Sequence, residues 1–166
     1  SRTLGRIAKV RVVAQTDTVA PDADYAILEM PDAPAIQPLG LTIKAERIQQ
    51  VIAAGYPATI IENDTRFRAL LDGDVAGAPE LVTTPGSIST IQMIVAGKPV
   101  VAHTAAISQG NSGGPLVDQC GRVVGVNTFG KLNEEAIQST SYAQKADSLA
   151  EFLKAHGESF AVLPDA

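Results

Sequence analysis

Short runs rich in β-branched residues, each closed by glycine or proline, are the feature that most limits the folds open to this chain. Strands are predicted at 6–14 (RIAKVRVVA), 25–30 (YAILEM) and 49–55 (QQVIAAG). Further short strands are predicted at 81–84, 87–95, 99–103, 115–117, 122–128 and 140–143. The turn DQCG between the 115–117 and 122–128 strands indicates a hairpin. Many short strands followed by one terminal helix favour a β-barrel.

Two helices are predicted among these strands. The segment 144–155 (QKADSLAEFLKA) carries an apolar stripe at i, i+3 and i+4, and Gly157 follows as a stop signal. A shorter helix is predicted over 64–71, with Asp64 as its N-cap and Gly73 ending it. Three prolines within 31–38 make that segment a connector.

Composition excludes several classes of partner. The chain has 166 residues, 45% of them apolar and none of them Trp, so we expect a core of Val, Ile, Leu and Ala. The net charge is −5 and no basic run occurs, which argues against nucleic acid. No apolar stretch approaches the roughly 18 residues of a membrane span. The single cysteine, Cys120, cannot form an internal disulfide. Residues 1–3 have the character of the interior of a longer precursor.

The run GNSGG at 110–114 has the residue types that acyl transfer requires. A serine hydroxyl is a poor nucleophile without a base beside it, and the tetrahedral intermediate needs donors aimed at its oxyanion. Glycines permit the sharp turn that aims backbone amides in this way. On composition alone such a run is more often an ordinary polar turn. The flanking sequence must therefore decide between a turn and a nucleophile.

The longer stretch HTAAISQGNSGGPLVDQCGRVVGVNTFG, at 103–130, resembles the nucleophile region of chymotrypsin-like serine proteases. The resemblance is to their bacterial trypsin-like, HtrA-related branch, and AAGYP at 53–57 resembles the first strand of the family's second barrel. It implies an all-β, chymotrypsin-like double β-barrel with a C-terminal helix. It further implies that Ser112 is the nucleophile, that the amides of Gly110 and Ser112 form the oxyanion hole, and that Asn111 shapes the loop. No cofactor is implied.

The resemblance also assigns the acid of the triad. DYAIL at 24–28 matches the family run in which the triad Asp precedes a strand, so Asp24 is the expected acid, which orients the imidazole. Asp17 and Asp22 are nearby competitors. Asp24 is favoured because the strand pattern begins directly after it.

The family's base is missing from its expected position. The chain has two histidines: His103 lies in the strand leading to the loop and His156 follows the terminal helix, whereas the family keeps its base upstream of the Asp. The expected position therefore falls before residue 1. The chain is accordingly a fragment, one of two chains that complete the domain, or a natural non-catalytic relative, and the first is favoured. We expect the isolated chain to be inactive.

A domain division follows from the resemblance. Residues 1–38 are the expected remnant of the first barrel with a linker, and 39–143 are the second barrel with an insertion at 61–79. The terminal helix spans 144–157 and a tail spans 158–166. Two strands alone would leave unpaired edges, so the first lobe is expected to be incomplete, to rearrange, or to pair with another chain.

The resemblance finally implies the substrate contacts. The expected substrate-binding residues flank the loop and line two later strands: Ala106, Ile107, Thr128, Phe129, Gly130 and Tyr142. No acidic residue lies at the matching floor position, so a small to medium apolar side chain is expected there. The function implied is a serine endopeptidase acting on peptides or unfolded proteins, periplasmic or secreted. The chain is expected to form a homo-oligomer or to pair with the missing N-terminal segment. The alternative is a non-catalytic peptide-binding module.

Overall fold

The chain is mostly β-structure and forms two sheets. The computed structural model describes residues 6–18, 24–93, 98–128 and 140–164. Its strands are β1 Arg11–Gln15, β2 Ala26–Glu29, β3 Gln50–Gly55, β4 Val82–Met93, β5 Pro99–His103, β6 Pro115–Asp118, β7 Val123–Thr128 and β8 Ser141–Lys145. Its helices are α1 Ala58–Ile61, α2 Thr65–Leu71, a 3₁₀ turn Val75–Gly77, and α3 Ala146–Ala155.

Six strands close into an antiparallel barrel in the order β3-β4-β5-β8-β7-β6. Strand β3 closes it by pairing with β4 on one side and β6 on the other, where Val51 faces Asp118 and Ala53 faces Leu116. The predicted hairpin is confirmed as β6–β7, with Gly121 at φ 76 donating its amide to Asp118 O at 3.0 Å.

The barrel interior is filled by aliphatic side chains, as the composition predicts. Its central cluster consists of fully buried residues from all six barrel strands and one loop: Val51, Ala53, Ile88, Val101, Ala105, Leu116, Val124 and Ala143. Burying one such Leu or Ile side chain contributes roughly 1.5–3 kcal/mol. Helix α3 covers a second cluster on the outside of the barrel, where Ala150 packs with Leu41 and Val123.

Strands β1 and β2 form a separate two-stranded antiparallel sheet, in which Arg11 faces Glu29 and Gln15 faces Ala26. Tyr25 connects this sheet to the terminal helix, because its ring lies 5.5 Å from that of Phe152 and only 6% of the residue is exposed. Burial, and then the carboxylates of Asp147 and Glu151, raise the pKa of Tyr25. Among the described residues, β1 and β2 are the two strands that lie outside the closed barrel.

Several predicted elements are confirmed and others differ. Asp64 caps α2 by accepting from the amide of Arg66 at 2.9 Å, and Gly73 follows the helix with φ 99. The strands predicted at 81–84 and 87–95 form one continuous strand, β4, so Pro85-Gly86 does not interrupt it. Gln144 and Lys145, predicted to be helical, extend β8, and helix α1 was not predicted.

Two further expectations concern the whole chain. No helix in the described ranges is long and apolar enough to cross a bilayer. The division into domains at 38, 143 and 157 stays a prediction.

Candidate active site

The loop from Ser108 to Gly114 is held in one conformation by its own backbone. The amide of Asn111 donates to Ser108 O at 3.0 Å, and that of Gly114 donates to Asn111 O at 3.0 Å. Gln109 O accepts from the amide of Ala58 at 2.8 Å, which ties the loop to the start of α1. Ser112 lies exposed at the outer turn of this loop.

Glycine is required at 110. Its φ is +95°, and a Cβ there would lie 2.4 Å from Tyr56 O. The amides of Gly110 and Ser112 have no hydrogen-bond partner within the described part of the chain, whereas those of Asn111, Gly113 and Gly114 are bonded. The two donors that the sequence predicts for the oxyanion are thus left available. Asn111, predicted to shape the loop, is 3% exposed and packs beside Gly55.

The far side of the loop is joined to strand β7 through a β-bulge. The amide of Gly113 donates to Asn127 O at 2.9 Å, and the amide of Asn127 donates to Gly114 O at 2.8 Å. Two glycines therefore face one asparagine, and the first of them has φ +82°. This is the arrangement of a bulge that begins with a left-handed glycine, a device that re-aims neighbouring side chains.

Asp24 lies just before β2 and is exposed. Its amide donates to Gln144 Oε1 at 3.4 Å, which places the start of β2 beside β8 of the barrel. Strand β8 pairs with β7, the strand that anchors the serine loop. Of the two competitors, Asp17 is exposed in the segment after β1, and Asp22 lies outside the described residues.

Neither histidine of the chain is placed to serve the exposed Ser112. His103 is fully buried in β5, opposite Ser141, and neither of its ring nitrogens has a hydrogen-bond partner. Burial lowers the pKa of His103 to about 4, an effect opposed by the backbone of Ala105. His156 is exposed at the end of α3, where its Nδ1 lies 2.8 Å from Phe152 O. That neither histidine is the base stays a prediction.

The predicted substrate-binding residues occupy two places. Ala106 is exposed and its carbonyl accepts from Thr84 Oγ1 at 2.7 Å, while Ile107 packs partly on the barrel core. Thr128 and Tyr142 are direct cross-strand partners on β7 and β8. Phe129 and Gly130 lie outside the described residues. Asn127, which the resemblance also places along this strand, is buried, and its side-chain Nδ2 donates to Pro115 O at 3.1 Å.

A metal-assisted reaction has no apparent ligand set among the residues that the structure describes, since no three His, Cys, Asp or Glu side chains converge there.

Comparison with known proteins agrees with this geometry. The family model of the trypsin-like peptidase domain matches residues 2–126. Bovine mitochondrial serine protease HTRA2 is 31% identical over 142 residues, which cover 86% of this chain and 27% of HTRA2. Serine protease Rv3671c of Mycobacterium tuberculosis is 34% identical over 124 residues, which cover 70% of this chain and 27% of Rv3671c.

Solved structures give the same fold. The inactive form of the Rv3671c protease superposes with a TM-score of 0.60 at 26% identity, over 90% of this chain and 68% of that one. The chain spans about a quarter of the length of the curated relatives it matches, among them Do-like HtrB of Bacillus subtilis at 26%. From its fold, its serine loop and these matches, the chain belongs to the trypsin-like serine peptidases and is related to their HtrA members.

Proposed function

We propose that this chain carries the nucleophile, the acid and the oxyanion hole of a serine endopeptidase. Ser112 attacks the scissile carbonyl and forms an acyl-enzyme. The amides of Gly110 and Ser112 stabilise the oxyanion, with Asn111 fixing the loop between them. Asp24 accepts a hydrogen bond from the imidazole that serves as base and keeps that ring in the productive tautomer.

The observation that carries this proposal is the pattern of bonded and unbonded amides around Ser112. A loop of five residues that satisfies its amides at 111, 113 and 114 leaves those at 110 and 112 without an acceptor. Gly110 and Ser112 are exposed, so their two unbonded amides are open to water or to another partner that binds beside the Ser112 hydroxyl. A developing oxyanion is such a partner, and each donor of this kind contributes about 10²–10³ to kcat in characterised enzymes.

The substrate in this proposal is an extended peptide or a segment of unfolded protein. It pairs, as an added β-strand, with Thr128 at the end of β7 and with Phe129 and Gly130, which follow Thr128 in the sequence. Its side chain before the scissile bond lies against Ala106, Ile107 and Tyr142, and we infer a small to medium apolar preference. Export to the periplasm or the medium is part of this proposal. The matched relatives include bacterial proteins and also a chloroplastic and a mitochondrial one.

The base comes from outside the 166 residues in this proposal. Both histidines of the chain lie elsewhere: His103 is enclosed in the barrel, and His156 is bonded to the last turn of α3. The same observation favours one second candidate, a protease-like module that holds extended peptides without cleaving them. Turnover by the 166-residue chain alone is expected to lie orders of magnitude below that of an intact triad.

The decisive experiment is labelling with a fluorophosphonate probe. It uses the full-length gene product that contains this chain, its Ser112→Ala variant, and the 166-residue chain. Ser89→Ala, which removes an exposed serine on β4, is the matched control. We expect labelling of the full-length protein and of Ser89→Ala, none of Ser112→Ala, and little of the 166-residue chain.

Other outcomes separate the two candidates. A folded full-length protein that binds peptides by calorimetry but takes up no probe would establish the binding module instead. Rapid labelling of the 166-residue chain at Ser112 would show that the chain contains its own base, and the assignment of the base to other residues would be wrong.

A further inference from the structure

Asn127 is a buried polar residue in a barrel whose core is otherwise aliphatic. It is 1% exposed, and the neighbouring inward positions on β7 and β8 are Gly125 and Ala143. A polar side chain at such a position costs free energy unless its hydrogen bonds compensate. Its Nδ2 has a partner, Pro115 O, whereas its Oδ1 has none. The structure therefore ties this side chain to one neighbour, the strand that leaves the serine loop.

Asn127 makes three hydrogen bonds to three consecutive residues. Its carbonyl accepts from Gly113, its amide donates to Gly114 O, and its side chain donates to Pro115 O. The first two bonds form the bulge and are made by backbone atoms, so any residue at 127 can make them. The third bond depends on the side chain. Proline has no backbone N–H, so Pro115 cannot donate a hydrogen bond to β7. The side-chain Nδ2 of Asn127 supplies an additional bond between the two strands at this point, to Pro115 O.

The bulge in turn sets the direction of Ser112. Gly113 follows Ser112 directly and has φ +82°, with no atom within 4 Å of the position that a Cβ would take. The bond from the Gly113 amide to Asn127 O is the contact that the structure shows for this conformation. Gly114 is confined differently, since its Cβ position lies 2.2 Å from Ala54 O. The segment is thus held at Gly114 by its contact with β3, and at Gly113 and Pro115 by hydrogen bonds to Asn127.

We propose that Asn127 is a positioning residue for the nucleophile, acting through the bond from Nδ2 to Pro115 O. The inference rests on the proposed function. Without this bond the Gly113–Pro115 segment keeps only its two backbone bonds to Asn127 and its contact with β3, and we infer that it shifts slightly against β7 and carries Ser112 with it. A displacement of about 1 Å at a reacting group costs on the order of 10²-fold in rate. Asn127 itself touches no reacting atom.

The test compares Asn127→Leu with wild type in the full-length gene product. Leu has the same branching as Asn, although it is larger, and it cannot donate to Pro115 O. Asn127→Ala is the second variant, in case Leu disturbs the packing. Ser148→Ala, which removes a buried hydroxyl from α3, is the matched control.

The first readout is peptide cleavage per active site, counted by fluorophosphonate titration. We expect kcat of both Asn127 variants to fall about 10- to 100-fold with KM changed less than about 2-fold. Ser148→Ala keeps wild-type kcat. A purely structural role would instead reduce the number of titratable sites while kcat per site stayed constant, and that result would overturn the inference.

The second readout is independent of activity. Amide hydrogen exchange at Gly113 in the 166-residue chain is expected to accelerate at least about 10-fold in both Asn127 variants, while exchange at the barrel-core amide of Val124 stays unchanged. If wild type is not labelled at Ser112, the proposed function fails, and the anchoring of the loop is judged by this exchange alone. Unchanged exchange at Gly113 would overturn it.

Discussion

At the scale of single residues, the serine loop combines two glycines with different duties. Gly110 and Gly113 both have positive φ, yet a Cβ at 110 would meet Tyr56 O whereas one at 113 would meet nothing. Glycine is favoured at 113 only by the positive φ, whereas at 110 it is favoured both by the positive φ and by the lack of space for a Cβ. The positive φ values are set by the turn of the loop, and the lack of space at 110 is set by the residue that follows β3, Tyr56.

Gly110→Ala is expected to destabilise the protein by roughly 2–4 kcal/mol. About 1 kcal/mol comes from the left-handed backbone, and the rest from a Cβ placed 2.4 Å from Tyr56 O, which must move. Gly121→Ala is the matched control, since Gly121 has φ +76° but no atom within 4 Å of its Cβ position. It should cost only about 1 kcal/mol. Urea unfolding measures both, and equal losses would contradict the steric part of the argument.

The sequence was sufficient to predict residues that belong to a short local motif. The run GNSGG predicts a sharp turn around a serine, and Ser112 is exposed in that loop. Asn127 could not be predicted in the same way. Its role depends on Pro115, twelve residues away, facing it across the β6–β7 hairpin, and a single polar residue in a strand pattern does not show where its partner is.

At the scale of elements, the strands were predicted best where glycine or proline closes them, and worst where these residues serve another purpose. Pro85 is tolerated within β4 because β3 pairs with Val82–Ser87 and β5 only from Ile88 onward, so one edge is paired at that level. Gly86 is required because the backbone of Ala105 crosses it, 2.1 Å from a Cβ position. In the sequence alone both residues indicate a turn, because neither the strand pairing at Pro85 nor the contact of Gly86 with Ala105 can be seen there.

The short helix α1 was missed for a related reason. Ala58–Ile61 contains three β-branched residues, which disfavour helix. Its first amide is held by Gln109 O of the serine loop, a tertiary bond that local propensity does not contain.

The turn between β6 and β7 depends on one carboxylate. Asp118 Oδ1 accepts from the amides of Cys120 and Arg122 at 3.0 and 2.9 Å, and its Oδ2 accepts from Arg122 Nε at 2.7 Å. The side chains are 4% and 11% exposed, respectively, so solvent replaces these bonds poorly. We expect Asp118→Ala to lower the free energy of unfolding by roughly 2–4 kcal/mol.

Asp118→Asn is the control for that change. It keeps an oxygen for the two backbone amides and removes the charge that faces Arg122, so its loss should be clearly smaller. Thermal unfolding by circular dichroism measures both variants. If Asp118→Asn loses as much stability as Asp118→Ala, the ion pair with Arg122 contributes more to stability than the bonds to the two backbone amides.

At the scale of the whole molecule, the two sheets differ in how they are completed. The barrel is closed and pairs all six of its strands, whereas β1–β2 is a two-stranded sheet with apolar side chains in solvent, Val12 at 53% and Leu28 at 56% exposed. A two-stranded sheet is marginal by itself. The barrel, α3 and the contact of Tyr25 with Phe152 therefore supply the stability of the described chain.

The barrel encloses a titratable group, so its stability depends on pH through His103. In the folded chain burial lowers the pKa of His103 to about 4, against 6.5 for the exposed ring. As pH falls, His103 therefore becomes protonated near pH 6.5 in the unfolded chain but only near pH 4 in the folded chain. The stabilisation from a neutral His103 is complete above pH 6.5 and is lost as pH falls from 6.5 toward 4.

The size of this loss follows from the two pKa values. It amounts to roughly 1 kcal/mol at pH 5.5 and roughly 3 kcal/mol near pH 4. Carboxylates elsewhere also titrate in this range, so the measurement must be a difference between two proteins. Urea unfolding of wild type and of His103→Gln, whose side chain stays neutral, is compared at pH 7.5, 5.5 and 4.5. Wild type should lose roughly 1 kcal/mol more than the variant between the first two values, and parallel losses would show that His103 takes up its proton without opening the barrel.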